Sequence, residues 1–117
     1  MSRSSVQVPV AAGQLEAFSR LRRHLDQTGT LAAAAAFSVD EPRAISYGLR
    51  LRGATSQVTT LELTPVGAEC LLTLSVDLEH GDTGHADRGW LPAAQLEAQY
   101  RVLALSFAHI ADGSVEP

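Results

Sequence analysis

Residues 70–79 alternate almost without a break: Cys70, Leu72, Leu74, Val76 and Leu78 are apolar, and Thr73, Ser75, Asp77 and Glu79 between them are polar. Successive side chains of a strand point to opposite faces, so this period of two dictates a half-buried strand and excludes a helix there. One strand cannot stand alone, and two partners lie just upstream. In residues 45–52 the odd positions Ile45, Tyr47, Leu49 and Leu51 are apolar and the even ones small or charged. Residues 58–64 read as a further strand, and Pro65-Val66-Gly67 suits a type I turn with a glycine at the following left-handed position. The centre of the chain is therefore an antiparallel meander, with Leu72, Leu74 and Val76 directed to its buried side.

The flanks set the fold class. Val6, Val8 and Val10 alternate in an opening strand over residues 5–10, where Pro9 indicates an edge or a strand end. Over residues 11–28, Leu15, Phe18, Leu21 and Leu25 share one side of a helix, and Gly29 sits where a glycine would end it. Thr30 can cap a short helix through the alanine run 31–37, although the same run can begin a buried strand; alanine's propensity favours the helix. Residues 38–42 form a turn or short edge segment, and residues 80–89 a polar, glycine-rich loop.

A closing helix spans residues 90–111 and stops at Gly113. Its apolar residues Leu91, Leu96, Tyr100, Val102, Leu103, Leu105, Phe107 and Ile110 leave only Glu97, Arg101, Ala104 and Ala108 as a narrow solvent stripe. An arc wider than the ~100° of an ordinary surface helix predicts cover on more than one side, by the sheet and either a ligand or a second subunit. The expected class is α+β: an antiparallel meander packed on a long C-terminal helix, with an N-terminal strand-helix unit, in one domain over residues 1–117.

Composition narrows the chemistry. All nine basic residues are arginines, which rules out a Schiff-base or P-loop lysine. A net charge of −4 without a basic stripe gives no footprint for nucleic acid. No apolar run reaches the ~20 residues of a membrane span, so no membrane insertion is expected. The first residues lead into the opening strand without a signal-peptide core, and the lone Cys70 has no disulfide partner; both place the chain in the cytoplasm. Eighteen of the apolar residues are alanines, a thin core that favours a homodimer.

Four polar residues, Gln95, Gln99, Ser106 and His109, fall within the apolar arc of the last helix. Buried polar groups need partners, so these either bond to the sheet or a second subunit, or face a ligand. With Tyr47, Leu49, Leu61, Leu72 and Leu74 they form the expected lining of a pocket, and His80 continues the inward face of its strand toward it. His80 or His109, titrating near neutrality, would supply any acid–base assistance. The cluster His80, Asp82, His85 and Asp87 matches no metal motif and reads as a solvated connector, Cys70 as core packing, and no cofactor is implied.

The runs 39–47, 56–67 and 70–76, with the opening segment from Val6 to Phe18 and the long last helix, resemble START-like (SRPBCC, helix-grip) proteins in a shortened form. That superfamily includes polyketide cyclases and Hsp90-ATPase-activator-like domains. The resemblance implies a curved antiparallel sheet gripping the C-terminal helix, an apolar pocket between them, and a hydrophobic small molecule as ligand. Cyclisation or dehydration occurs in some members. The alternative that the residues leave open is a non-enzymatic homodimeric interaction or chaperone-like module, with the wide apolar arc as its interface.

Overall fold

A computed structural model describes residues 2–50, 56–79 and 93–114, and side chains within them except those of residues 2, 3, 49, 50, 56, 78, 79 and 93–97. The order of elements is β1 (Ser2–Val10), α1 (Gln14–Gln27), α2 (Thr30–Ala33), β2 (Ala36–Asp40), β3 (Ala44–Arg50), β4 (Ser56–Val66), β5 (Glu69–Glu79) and α3 (Ala93–Ala111). The five strands form one sheet in the order β1-β5-β4-β3-β2, antiparallel at every pairing. The α+β architecture expected from the sequence is the one observed.

The alternation of β5 sets the faces of the whole sheet. Leu74 lies opposite Val6 on one side and Leu61 on the other, and Leu61 lies opposite Ile45. This row, all but closed to solvent, crosses four strands; Val8, Leu72 and Leu63 form the next. Leu72, Leu74 and Val76 are all buried, as the alternation requires, and the β4–β5 hairpin turns at Gly67, whose φ of 61° is left-handed. The outer face carries hydroxyls instead. Ser5 Oγ lies 3.4 Å from Ser75 Oγ, and Ser46 Oγ 3.1 Å from Thr60 Oγ1.

Two helices cover the inner face and touch each other, α3 packing chiefly along β1 and α1 reaching β4. Ala17, Phe18, Leu21 and Leu25 bury one stripe of α1, and Gln14 Nε2 donates to the Leu63 carbonyl at 2.9 Å. Leu15 is a correction: expected inward, it is 69% exposed. At 3.6 residues per turn it stands about 110° from the middle of that stripe, and Ala17 occupies the inward position in the first turn.

The alanine run is the second correction. Helix α2 ends at Ala33 and the chain enters β2 at Ala36, so the helix expected over 31–37 holds for its first turn only, and the strand that follows is exposed rather than buried. Pairing with β3, reinforced by the Ala35 N–H donating to the Gly48 carbonyl at 2.8 Å, overrides a propensity of a few tenths of a kcal/mol per residue.

The third correction concerns α3. Ala104, Phe107, Ala108 and Ala111 are its buried residues, whereas Val102, Leu103 and Leu105 are 65%, 38% and 43% exposed. Ala104 and Ala108, read from the sequence as solvent-facing, are the contact stripe. Three alanines and Phe107 make up the side packed on β1 and α1, so the small side chains fill the gaps around one large ring.

Arg20 joins the helices. Its Nη1 donates to the Ala111 carbonyl at 3.1 Å, satisfying a last-turn acceptor of α3, while Nη2 binds Glu16 Oε1 at 2.6 Å. Gly113, at φ 83°, ends α3 against this guanidinium; a Cβ there would stand 3.1 Å from Arg20 Cζ. Gly113→Ala is therefore expected to lower stability by about 1–2 kcal/mol, from left-handed strain plus that contact, read as a drop in thermal midpoint. An unchanged midpoint would show that the Arg20 clasp is loose.

Candidate functional site

The inner face is apolar except at one end. Tyr47 of β3 and Thr59 of β4 are direct cross-strand partners, and Val76 of β5 lies opposite Thr59. Tyr47 is 7% and Thr59 2% exposed, which puts a phenol and a hydroxyl in the core. Gln57 Nε2 donates to Thr59 Oγ1 at 3.3 Å, and the Tyr47 phenol stands beside the same residue across the strand pair. The three side chains form a neutral polar group bordered by the leucine rows. Tyr100 of α3, half-buried, packs against the same core.

Their electrostatics follow from burial. Desolvation pushes the Tyr47 phenol above its ordinary value, against a smaller opposing effect of the Thr59 hydroxyl, and burial raises Tyr100 as well. Burial, with the Glu69 charge adding to it, likewise raises the Cys70 thiol. These groups are neutral at pH 7, so the polar end of the face can donate and accept hydrogen bonds without charge.

A stability profile follows. A folded-state pKa above the unfolded one contributes stability that is fully present below the unfolded value and lost as pH rises through the folded one. Thermal midpoints should thus hold up to about pH 9 and fall above it, where the unfolded thiol and phenols ionise and the folded ones resist. Tyr47→Phe should flatten that fall; an identical slope in wild type and variant would show that the phenol is no more buried folded than unfolded.

The residues expected to line a pocket divide sharply. Tyr47, Leu61, Leu72 and Leu74 come together on the inner face. Gln99, Ser106 and His109 do not: all three are exposed, on the side of α3 that turned out to face away from the sheet. Ser106 Oγ donates back to the Val102 carbonyl at 3.1 Å, and His109 stands at the α3 C-terminus, where hydrogen bonds from Ser114 hold the neighbouring Asp112 below the usual carboxylate range. The side chains of Leu49 and Gln95, and His80 with the loop 80–89, lie outside the described residues.

Sequence reading missed Thr59 and Gln57, yet the signal was present. Leu61 and Leu63 fix the parity of β4, and counting back by twos places Thr59 and Gln57 on the same side.

A shallow depression of about 300 Å³ on the outer side of α1 lies away from this face. Arg22 and Arg23 line it, but Asp26 and Glu41 do too, so it offers no net charge to select a ligand.

No family model matches the chain, and no curated protein does. Solved structures do. Protein MLL2253 from Mesorhizobium loti superposes with a TM-score of 0.65 at 13% identity, over 98% of this chain and all of that one (100%). Ara h 8.0201 gives 0.60 at 10% identity, over 97% and 96%. The Aha1 dimer from Colwellia psychrerythraea gives 0.58 at 10%, over 96% and 97%. Identities this low show a common fold and leave activity open. The fold is the helix-grip, SRPBCC-like arrangement, with five strands among the described residues.

Proposed function

We propose that this chain binds a small organic molecule, apolar or weakly polar, between the inner face of the sheet and α3. The observation that carries the reading is the group Tyr47, Thr59 and Gln57 on one face of β3 and β4: neutral donors and acceptors set into an otherwise apolar surface, the usual makeup of a small-molecule site. Tyr47, Leu61, Leu72 and Leu74 supply the walls, and the trio orients the guest's carbonyl or hydroxyl. The fold supports the ligand class, since helix-grip proteins characteristically hold hydrophobic molecules.

Catalysis of the polyketide cyclase or dehydratase kind would need a group that titrates near neutrality at the guest. Among the described residues His109 stands away from this face, and we read the site as one for binding. We place the protein in the cytoplasm, where a lone, buried thiol such as Cys70 stays reduced. Titration with Nile red, an uncharged apolar dye, tests the main reading. Saturable fluorescence at one site per chain, displaced by uncharged aromatic or fatty ligands, is expected; a linear, unsaturable response would overturn it.

A second reading, homodimeric self-association, is favoured by a different observation. Phe37 on β2 and Val102, Leu103 and Leu105 on α3 are substantially exposed in the single chain, large apolar side chains that a second copy would cover. The Aha1 protein that shares the fold is a dimer. Light scattering over a dilution series decides it, and a strictly monomeric mass at high micromolar concentration would remove it.

A further inference from the structure

The two edges of the sheet are managed differently. β1 is protected: Pro9, which lacks an N–H, lies within it, and α3 packs along it. β2, at the other end, contains no proline, and among the described residues no helix packs along it. Ala36, Phe37, Ser38 and Asp40 are all exposed, Phe37 to 51%, and no charge precedes Asp40. A proline-free edge whose one charge stands at its last residue presents unpaired backbone groups to any strand that can reach them.

From the pattern of this edge we infer that two copies of the chain pair antiparallel through β2, about a twofold axis at Ser38, joining their sheets into one. This rests on the self-association reading above and assigns its surface. The sequence of β2 is complementary to itself in that register. Phe37 of one copy lies opposite Val39 of the other, and both side chains belong to the inner side, since their partners on β3 are the buried Tyr47 and Ile45. Two such pairs, related by the axis, bring an exposed phenylalanine against a β-branched neighbour.

On the outer face Ser38 meets its own copy. The cross-strand row Ser5, Ser75, Thr60, Ser46, Ser38 then runs on from one sheet into the next without a change of chemistry. Asp40 falls opposite Ala36, and its carboxylate is already held by Arg43 at 2.6 Å, so no like charges face each other. The exposed row on α3 offers apolar area but no such demand, because the helix satisfies its own backbone. Edge pairing over five residues buries less than the ~800 Å² per partner of a standard interface, so the association is weak and reads out in the micromolar range.

The register makes Ala36 the discriminating position. Ala36→Asp sets a new carboxylate opposite Asp40 of the other copy, twice over, whereas Ala36→Lys sets an ammonium there; both are exposed changes of one residue. Sedimentation of the full chain from 2 to 500 μM should show a monomer–dimer equilibrium, weakened about tenfold by Ala36→Asp and tightened several-fold by Ala36→Lys. Opposite shifts at one position exclude general misfolding as their cause. A wild type that stays monomeric throughout overturns both this inference and the reading beneath it. A dimer that ignores both Ala36 substitutions but is lost on Val102→Glu overturns the inference alone and moves the interface to α3.

Discussion

Leu74→Ala should cost the fold about 3–4 kcal/mol, a large share of the 5–15 kcal/mol that holds a domain together. Leu74 has no exposed surface and sits in the middle of the row that links Val6, Leu61 and Ile45 across four strands. Its neighbours are fixed by two ladders, so they cannot collapse into the space left behind, and the cost includes a cavity as well as lost burial. Urea denaturation provides the number. Leu74→Met, which keeps the volume, should lose less than about 1.5 kcal/mol, and Leu15→Ala, at an exposed site, less than about 0.5. A loss below 1 kcal/mol for Leu74→Ala would mean that the inner face is already loosely filled, which is itself what a vacant ligand site would produce.

That prediction depends on a register legible from the sequence, and the reason is local. In β5 the apolar residues at every second position have only one arrangement that buries them together, so Cys70, Leu72, Leu74 and Val76 declare their side without knowledge of their partners. The same parity carries over to β4 and puts Thr59 inside, although its polarity suggests otherwise. The glycine stops at Gly29, Gly67 and Gly113 were equally readable, all three at positive φ, because a left-handed turn residue is a property of the backbone itself.

What failed was decided by tertiary contact. Along α3 a ranking by hydrophobicity turns Val102, Leu103 and Leu105 inward and Ala104 and Ala108 out; the helix does the reverse because the side packed on β1 and α1 is the one that carries Phe107 among the small Ala104, Ala108 and Ala111. Gln99, Ser106 and His109 were lost from the expected pocket by that same rotation. The alanine run divided for a similar reason: helix propensity acts within a turn, while β2 exists because Ala36–Asp40 found β3. An Ala-rich stretch has no strong side to declare, so its neighbours choose.

The candidate site is tested most directly by taking its polar group apart in two steps. Thr59→Val removes a hydroxyl that is 2% exposed and keeps the shape. The Gln57 amide then loses its partner and the buried Tyr47 phenol the hydroxyl opposite it, and an unsatisfied buried polar group costs about 1–3 kcal/mol. Adding Tyr47→Phe removes the stranded phenol as well. Because deleting both members of a buried polar pair can be nearly neutral, the double variant should regain most of the lost stability. Ligand affinity should behave differently if the trio orients a guest: Thr59→Val weakens binding of a carbonyl-bearing competitor of Nile red by about 5- to 100-fold, and the double variant does not recover it. Urea denaturation follows one quantity and dye displacement the other, so the two roles separate in a single pair of proteins. Recovery of both together would reduce Tyr47, Thr59 and Gln57 to a structural network and take from the binding proposal the observation that carries it.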